Sequence, residues 1–365
     1  MTSGAFSLST VLNGLFSIVM GRLTDRFGPR VVMSACGLFL GLGYFLMSQL
    51  KSVSELYLFY GVIVAIGMSA AYVPIVSTVA RWFVKKRTLM TGIVISGMGV
   101  GMVIMAPLAS QFIRVYEWRI SYIIIAMVAV IFIILPAQFL RRDPREMEQL
   151  PYGFGKKGRE SLNAVSNGLS LKQTAHTKQF WSILVMFLSL FFCLEAIMVH
   201  VVIDATGWGV SPTDASKIIS IIGGLSIAGK IIMGGIADRI GNKKALSVGF
   251  IIVSLALAFL ATANDLWMFY AFAATFGFSY GGLITVFPPI AAEMFGLTSH
   301  GVIMGIVTFG GTVGGAIGTV SVGKMFDMTG SYSLGFLVCT CVAVMGTVLS
   351  IYLKPIPIET DSLAQ

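Results

Sequence analysis

The sequence predicts an all-α membrane protein, a two-half helix bundle with a pseudo-twofold along the membrane normal. Three observations predict it. The 365-residue chain is 56% hydrophobic and only 11% charged, where a soluble domain carries about 25% charge. Its apolar residues gather into eleven runs long enough to cross a bilayer, each needing roughly 20 residues. One ten-residue pattern occurs twice, 213 residues apart.

The composition, with a mean hydropathy of +0.88, excludes a soluble enzyme, a nucleic-acid-binding module and a disordered chain. The formal charge of +9 would suggest nucleic acid in a polar chain. In this chain its positive residues are sorted instead by membrane face.

The eleven spans are expected at 2–20, 31–50, 55–80, 88–113, 119–140, 179–203, 214–235, 245–262, 266–292, 301–323 and 332–353. Residues 1–140 then form a first half of five spans, and 179–354 a second half of six. Between them, 141–178 is polar and holds Arg141, Arg142, Asp143, Lys156, Lys157 and Arg159. It reads as a linker between the halves. Residues 355–365 read as a tail.

Lys and Arg set the orientation. The loops on the linker's side carry 19 of them and the alternate loops 5, with Lys230 left inside a span. The linker and C-terminus are therefore expected in the cytoplasm and the N-terminus outside, in a multi-pass protein of the plasma (inner) membrane. The first run is followed, not preceded, by Arg22 and Arg26, unlike a signal peptide.

The repeat pairs Gly21-Arg22-Leu23-Thr24-Asp25-Arg26-Phe27-Gly28-Pro29-Arg30 with Gly234-Gly235-Ile236-Ala237-Asp238-Arg239-Ile240-Gly241-Asn242-Lys243. The same offset aligns Gly92-Ile93-Val94 with Gly305-Ile306-Val307, and Gly97, Val100 and Gly101 with Gly310, Val313 and Gly314. Two segments sharing one offset indicate parallel halves. A full span, 179–203, precedes the repeated loop in the second half, and none does in the first. The expectation is a twelve-span plan without its first helix, with Met1 an internal or misassigned start or the chain a truncation.

The four cysteines, Cys36, Cys193, Cys339 and Cys341, lie in apolar runs without metal-ligand spacing. They read as free thiols packed in helices. Three histidines are too scattered for a metal cage, and no metal or cofactor is expected.

The G-x-x-x-D-R-x-G-x-[RK] loop resembles motif A of the major facilitator superfamily, and it is present in both halves. Arg81-Trp82-Phe83-Val84-Lys85-Lys86-Arg87, with Thr91-Gly92-Ile93 and Pro107-Leu108-Ala109, resembles the bacterial monocarboxylate and oxalate/formate porter group. So do Arg141-Arg142-Asp143-Pro144-Arg145-Glu146-Met147 and Leu150-Pro151-Tyr152-Gly153. Gly277-Phe278-Ser279-Tyr280-Gly281-Gly282, Pro288 and Glu293-Met294-Phe295-Gly296 complete the likeness.

The resemblance implies a gating role for motif A: Gly21, Asp25, Arg26, Gly28 and Arg30 in one half, Gly234, Asp238, Arg239 and Gly241 in the other. A carboxylate at a helix end can accept from a neighbouring helix N-terminus and pair with an Arg, holding one conformer shut. Helix termination and charge anchoring read from the same residues, and the glycines permit tight turns and close approach.

Ionisable groups inside the bilayer are costly and default to functional candidates. Lys230 lies two turns before Asp238, about 12 Å up the helix. Snorkelling is the alternative to binding. The resemblance implies binding, because a basic residue in this helix of the monocarboxylate and oxalate porters engages the substrate carboxylate. Two departures bear on the substrate: Ser226 stands where eukaryotic members carry Asp, and Val307-Thr308-Phe309 is neutral where the oxalate porters have a second cation. One cation suits a monoanion.

Glu195 reads as an ion-pair partner of Lys230, a proton carrier or a satisfied polar group near the outer interface. His200, near the outer end, reads as an interfacial residue or a proton-coupling group. Tyr72 and Tyr280, with Pro74 and Pro288 nearby, fit a cavity wall beside helix breaks, or plain packing. Gly97/Gly101, Gly310/Gly314 and Gly311/Gly315 read as small-xxx-small pairs for close helix packing.

The expected function is secondary transport of a small organic anion, a monocarboxylate, by alternating access, coupled to protons or run as exchange. No nucleotide-binding motif or catalytic constellation is present. The expected partners are the anion, protons and lipid, with no nucleic acid, in a monomer. A transporter of a neutral solute and a non-transporting scaffold or inactive fragment are the alternatives.

Overall fold

The computed structural model describes residues 2–153 and 168–354. Lys156, Lys157 and Arg159 of the linker and the 355–365 tail lie outside the described residues. Ten helical stretches among the described residues are long and apolar enough to span a membrane. They begin with α1 (Thr2–Phe27) and α2 (Pro29–Met47). The third, Val53–Trp82, is segmented into α3 (Val53–Leu56), a π-helical stretch (Tyr57–Val64), α4 (Ala65–Met68) and α5 (Val73–Trp82). Then comes α6 (Arg87–Ala137), followed after the short α7 (Leu171–Ala175) by α8 (Lys178–Gly207), α9 (Pro212–Ile240) and α10 (Asn242–Leu260). The last three are α11 (Leu266–Phe295), α12 (His300–Thr329) and α13 (Ser333–Tyr352).

The count of ten and the expected eleven differ at one place. The 51-residue α6 carries a non-helical backbone at Glu117 (φ 63, ψ 166). The break falls in the gap expected between 113 and 119, so α6 holds two spans.

The repeated loop is a tight inter-helix corner in both halves. Gly28 (φ 82) ends α1 and precedes Pro29 at the start of α2. Gly241 (φ 94) does the same between α9 and α10. A positive φ is cheap only for glycine, which is why the motif needs one at this spot.

The chain forms two compact units. The first comprises Met1–Val84, Val100–Gly158 and Leu297–Phe309; the second Lys85–Gly99, Arg159–Gly296 and Gly310–Gln365. Each unit therefore includes a short segment from the other half of the sequence. In the first, the start of the polar segment is folded. Tyr152 N–H donates to Trp82 O at 2.8 Å and Val84 N–H to Tyr152 O at 3.0 Å. In the second, the end of that segment is folded too. Ser170 and Gln173 form a capping box on α7, and Leu169 N–H donates to Phe295 O at 2.8 Å.

Helix contacts in the second unit use the expected glycines only in part. A Cβ at Gly311 would meet the Phe187 ring at 2.7 Å, one at Gly315 the Glu195 stem at 2.5 Å, and Gly314 sits against the Leu188 backbone. These α12 glycines thus pack on α8. Gly97 and Gly101 do not act as their repeat mates do: among the described residues nothing stands within 4 Å of a Cβ at either. Small residues at helical spacing permit close approach but do not create a partner on that face. Three cysteines are buried as expected, but Cys341 is exposed. It points away from the neighbours of α13, because an apolar run in a membrane chain has outward-facing positions too.

Candidate functional site

In the first unit, the Asp25 carboxylate at the end of α1 caps α12. It accepts from Gly301 N–H at 3.0 Å and Val302 N–H at 2.9 Å. Arg81 donates to the same carboxylate at 3.0 Å and to Leu297 O at 2.9 Å. Both ion-pair side chains are nearly buried, at 10% and 12% exposure. Gly21 and Gly301 approach backbone to backbone, leaving no room for a Cβ.

In the second unit, Asp238 at the end of α9 caps α6. It accepts from Thr88 N–H at 3.0 Å and Leu89 N–H at 2.9 Å. A Cβ at Gly234 would strike Thr88 O at 2.8 Å. Here the supporting charges differ. Arg87 is buried within charge range of Glu293 and Asp238. Asn242 donates to Glu293 at 2.7 Å and accepts from the Thr88 hydroxyl at 2.8 Å. At the repeat offset, Thr88 and Leu89 are the mates of Gly301 and Val302, so the two caps are one arrangement built twice. A helix N-terminus favours a carboxylate through its free N–H groups and its dipole.

Of the other motif residues, Arg26 stacks over Phe27, 5.1 Å from the ring centre. Arg30 donates to Gln138 at 3.0 Å. Arg239 is exposed.

Above the second cap, α9 and α11 run backbone to backbone. Gly229 faces the Phe278 backbone and Gly281 the Ser226 backbone, and a Cβ at Gly277 would meet Ile222 O at 2.6 Å. This contact encloses Lys230, which is 4% exposed. Its ammonium donates to the Ser226 hydroxyl at 3.5 Å, and Ser226 donates to Gly223 O at 2.7 Å. The repeat mate of Lys230 is Ser17, buried in the first unit and donating to Gly305 O at 3.0 Å. The cation belongs to one half alone.

Of the three readings of Glu195, the ion pair with Lys230 does not form; among the described residues Lys230 pairs with no carboxylate. The physical reason is direction. The Glu195 stem lies along Gly315, and its carboxyl is near enough to Tyr280 to act on the hydroxyl electrostatically. The Lys230 stem runs back along its own helix to Ser226. Tyr280 stacks on Phe276, with ring centres 6.2 Å apart.

The two tyrosines differ in setting. Tyr72 stands at the break between α4 and α5, with Pro74 in the first turn of α5, as expected. No break accompanies Tyr280: α11 continues through Pro288 and Pro289, because both prolines sit within the packed helix where its neighbours hold it. Tyr72 belongs to the first unit, the Lys230 group to the second.

His200 is buried, with Nε2 3.0 Å from Thr319 O and Nδ1 without a partner among the described residues. Its ring lies 5.2 Å from the Tyr332 ring, beside a cavity of about 640 Å³ that includes Asp204, Trp208 and Tyr332.

Sequence reasoning named Arg81, Arg87, Asn242 and Glu293 only as motif residues and gave them no part in the caps, and it missed Thr88 and His300. His300 is buried with Nδ1 3.1 Å from the Ser77 hydroxyl. The signal for the cap donors was present: offsetting either helix start by the repeat distance finds the other.

Apolar spans, a repeated half and a helix cap built twice, one of them below a buried cation, define a membrane transporter of the two-repeat kind. The Major Facilitator Superfamily model matches residues 1–204 and 201–364, and the chain belongs to that family. It is 26% identical over 317 residues to the uncharacterized MFS-type transporter YhjX of Escherichia coli, covering 85% of this chain and 76% of that protein. It is 28% identical over 359 residues to human monocarboxylate transporter 12, covering 92% and 68%. Among solved structures, the E. coli fucose:proton symporter FucP matches with a TM-score of 0.75 at 13% identity, over 97% of this chain and 91% of that one.

Proposed function

We propose that this chain is a secondary transporter of a small organic anion, a monocarboxylate, working by alternating access between its sequence halves. The observation that carries the reading is Lys230: a buried ammonium held by one serine hydroxyl, with no carboxylate paired to it among the described residues. A buried charge is tolerated when a partner arrives, and a substrate carboxylate is the partner that fits. Monocarboxylate transporter 12 as a relative supports the same class. A single cation, with Ser17 at the mirror position, suits one carboxylate rather than two.

Tyr280 lies within electrostatic reach of Glu195 and precedes Gly281, which packs on the Ser226 backbone; Glu195 is the carboxyl we assign to proton movement, His200 a second candidate. Ser226 orients the ammonium, and Tyr72 contributes from the other sequence half. Asp25 and Asp238 are the gate latches, on the cytoplasmic side with the linker and the C-terminus, in a plasma (inner) membrane. Residues 1–140 and 179–354 are the two moving halves.

The test is uptake into proteoliposomes with a panel of mono- and dicarboxylates and a neutral sugar, with and without a pH gradient. Saturable monocarboxylate uptake supports the reading. Uptake of the neutral solute alone, or of nothing by folded protein, overturns it.

A further inference from the structure

A cavity of about 460 Å³ opens beside the second cap, lined by Lys85, Lys86, Leu89, Ile231, Ile232, Gly235, Ile236, Asp238 and Arg239. Its two ends differ in chemistry. Lys85, Lys86 and Arg239 stand at one end, all exposed. Ile231, Ile232 and Ile236 are exposed toward the other. From Arg239 back to Ile231 the α9 axis rises about 12 Å. That is the depth over which a lipid passes from headgroup to upper acyl chain.

The cations are not accounted for by the protein. None of the three side chains forms an ion pair among the described residues. The one carboxylate in the lining, Asp238, is committed to two backbone N–H groups. Nor does the cap require the two lysines. At the repeat offset Lys85 and Lys86 correspond to Thr298 and Ser299, and the first-unit cap forms with those neutral residues. Lys86 also holds a positive φ of 61, a backbone that favours glycine, so a lysine is kept where the backbone disfavours it.

We propose that this groove binds an anionic phospholipid. Lys85, Lys86 and Arg239 take the phosphate, and Ile231, Ile232, Ile236 and Leu89 line the start of an acyl chain. The occupant is a lipid rather than a free anion because the apolar wall is continuous with the phosphate end and faces outward from a membrane-spanning helix. Juxtamembrane Lys and Arg attract anionic lipid with a strength that corresponds to roughly a fivefold gain in affinity each.

The experiment compares retention of phosphatidylglycerol and phosphatidylcholine by the purified full chain, read by native mass spectrometry and by titration in nanodiscs. Wild type is expected to retain phosphatidylglycerol preferentially. The K85Q/K86Q/R239Q variant should lose that preference, by roughly a hundredfold in apparent affinity for three cations. A K172Q/K243Q/K244Q control, with the same loss of charge, should keep it. Ile236→Trp, whose ring fills the apolar end, should weaken retention with all cations in place. Equal retention by the triple variant and wild type overturns the proposal, as does equal loss in the control. Displacement of the lipid by equimolar inorganic phosphate would make the groove a soluble-anion site and also overturn it. Monodisperse elution of each variant distinguishes lost binding from lost folding. Should the triple variant not elute so, Ile236→Trp and K86Q alone carry the decision.

Discussion

Asp25 and Asp238 stand 213 residues apart and do the same work: each caps the first turn of a helix from the opposite half of the sequence. Asp25 takes the N–H groups of Gly301 and Val302, and Asp238 those of Thr88 and Leu89. The distances agree to the tenth of an ångström, and the donors are themselves repeat mates. What differs is the charge behind each cap. Arg81 pairs with Asp25 directly, whereas its repeat mate is Met294, and the second cap is served by Arg87, Glu293 and Asn242. The cap is thus duplicated while its supporting charges are not.

This asymmetry predicts a coupling pattern. Asp25→Asn keeps an acceptor but loses the charge, which should cost the capped conformer about 2 kcal/mol, roughly 30-fold in population. The measurement is the labelling rate of Ser17→Cys, buried behind the latch, in a chain lacking its native cysteines. Asp25→Asn and Arg81→Gln should be strongly non-additive. Asp238→Asn and Arg81→Gln, which share no partner, should add to within about 0.5 kcal/mol. Labelling unchanged by Asp25→Asn would remove the latch role.

The glycines predict a contrast in stability. Gly281→Ala drives a methyl into the Ser226 backbone, where rigid main chain on both sides leaves no give. A loss of about 2 kcal/mol is expected, read as a lower melting midpoint in detergent. Gly97→Ala meets open space and should leave the midpoint unchanged or raised, since alanine is the better helix former by about 1 kcal/mol. Equal effects at both positions would contradict the close packing of α9 on α11.

These outcomes show where the sequence was legible. The internal repeat marked both capping carboxylates and the corner glycines, because a φ above zero and a capping charge demand particular residue types. Depth along a helix singled out Lys230, and the structure buries it. Azimuth was not legible. Periodicity gives the height of Glu195 but not the face on which it meets Gly315, so a pair with Lys230 stood among its readings and does not form. Gly97 and Gly101 failed for the same reason: spacing reveals a smooth face, not the presence of a helix against it. Tyr280 was read beside a break because proline usually makes one, yet α11 is continuous through two.

Glu195 is predicted to carry the proton. Glu195→Gln preserves shape and removes the titratable group. Uptake driven by a pH gradient should fall by more than about tenfold, while substrate counterflow at constant pH stays within about twofold. The split matters, because a merely structural glutamate would lower both together. His200→Gln supplies the comparison. If it abolishes gradient-driven uptake and Glu195→Gln does not, the proton moves through the histidine.

Lys230 decides whether the substrate is an anion. Lys230→Gln keeps length and polarity without the charge. It should raise the KM for a monocarboxylate by at least about tenfold, the loss of one charge-assisted hydrogen bond of about 1.5 kcal/mol or more. Lys230→Arg should restore binding only in part, since a planar fork beside Ser226 cannot occupy the space of a compact ammonium. Competition assays with mono- and dicarboxylates on the two variants read both outcomes. Unchanged monocarboxylate affinity in Lys230→Gln would leave the buried ammonium a structural charge and point to a neutral solute.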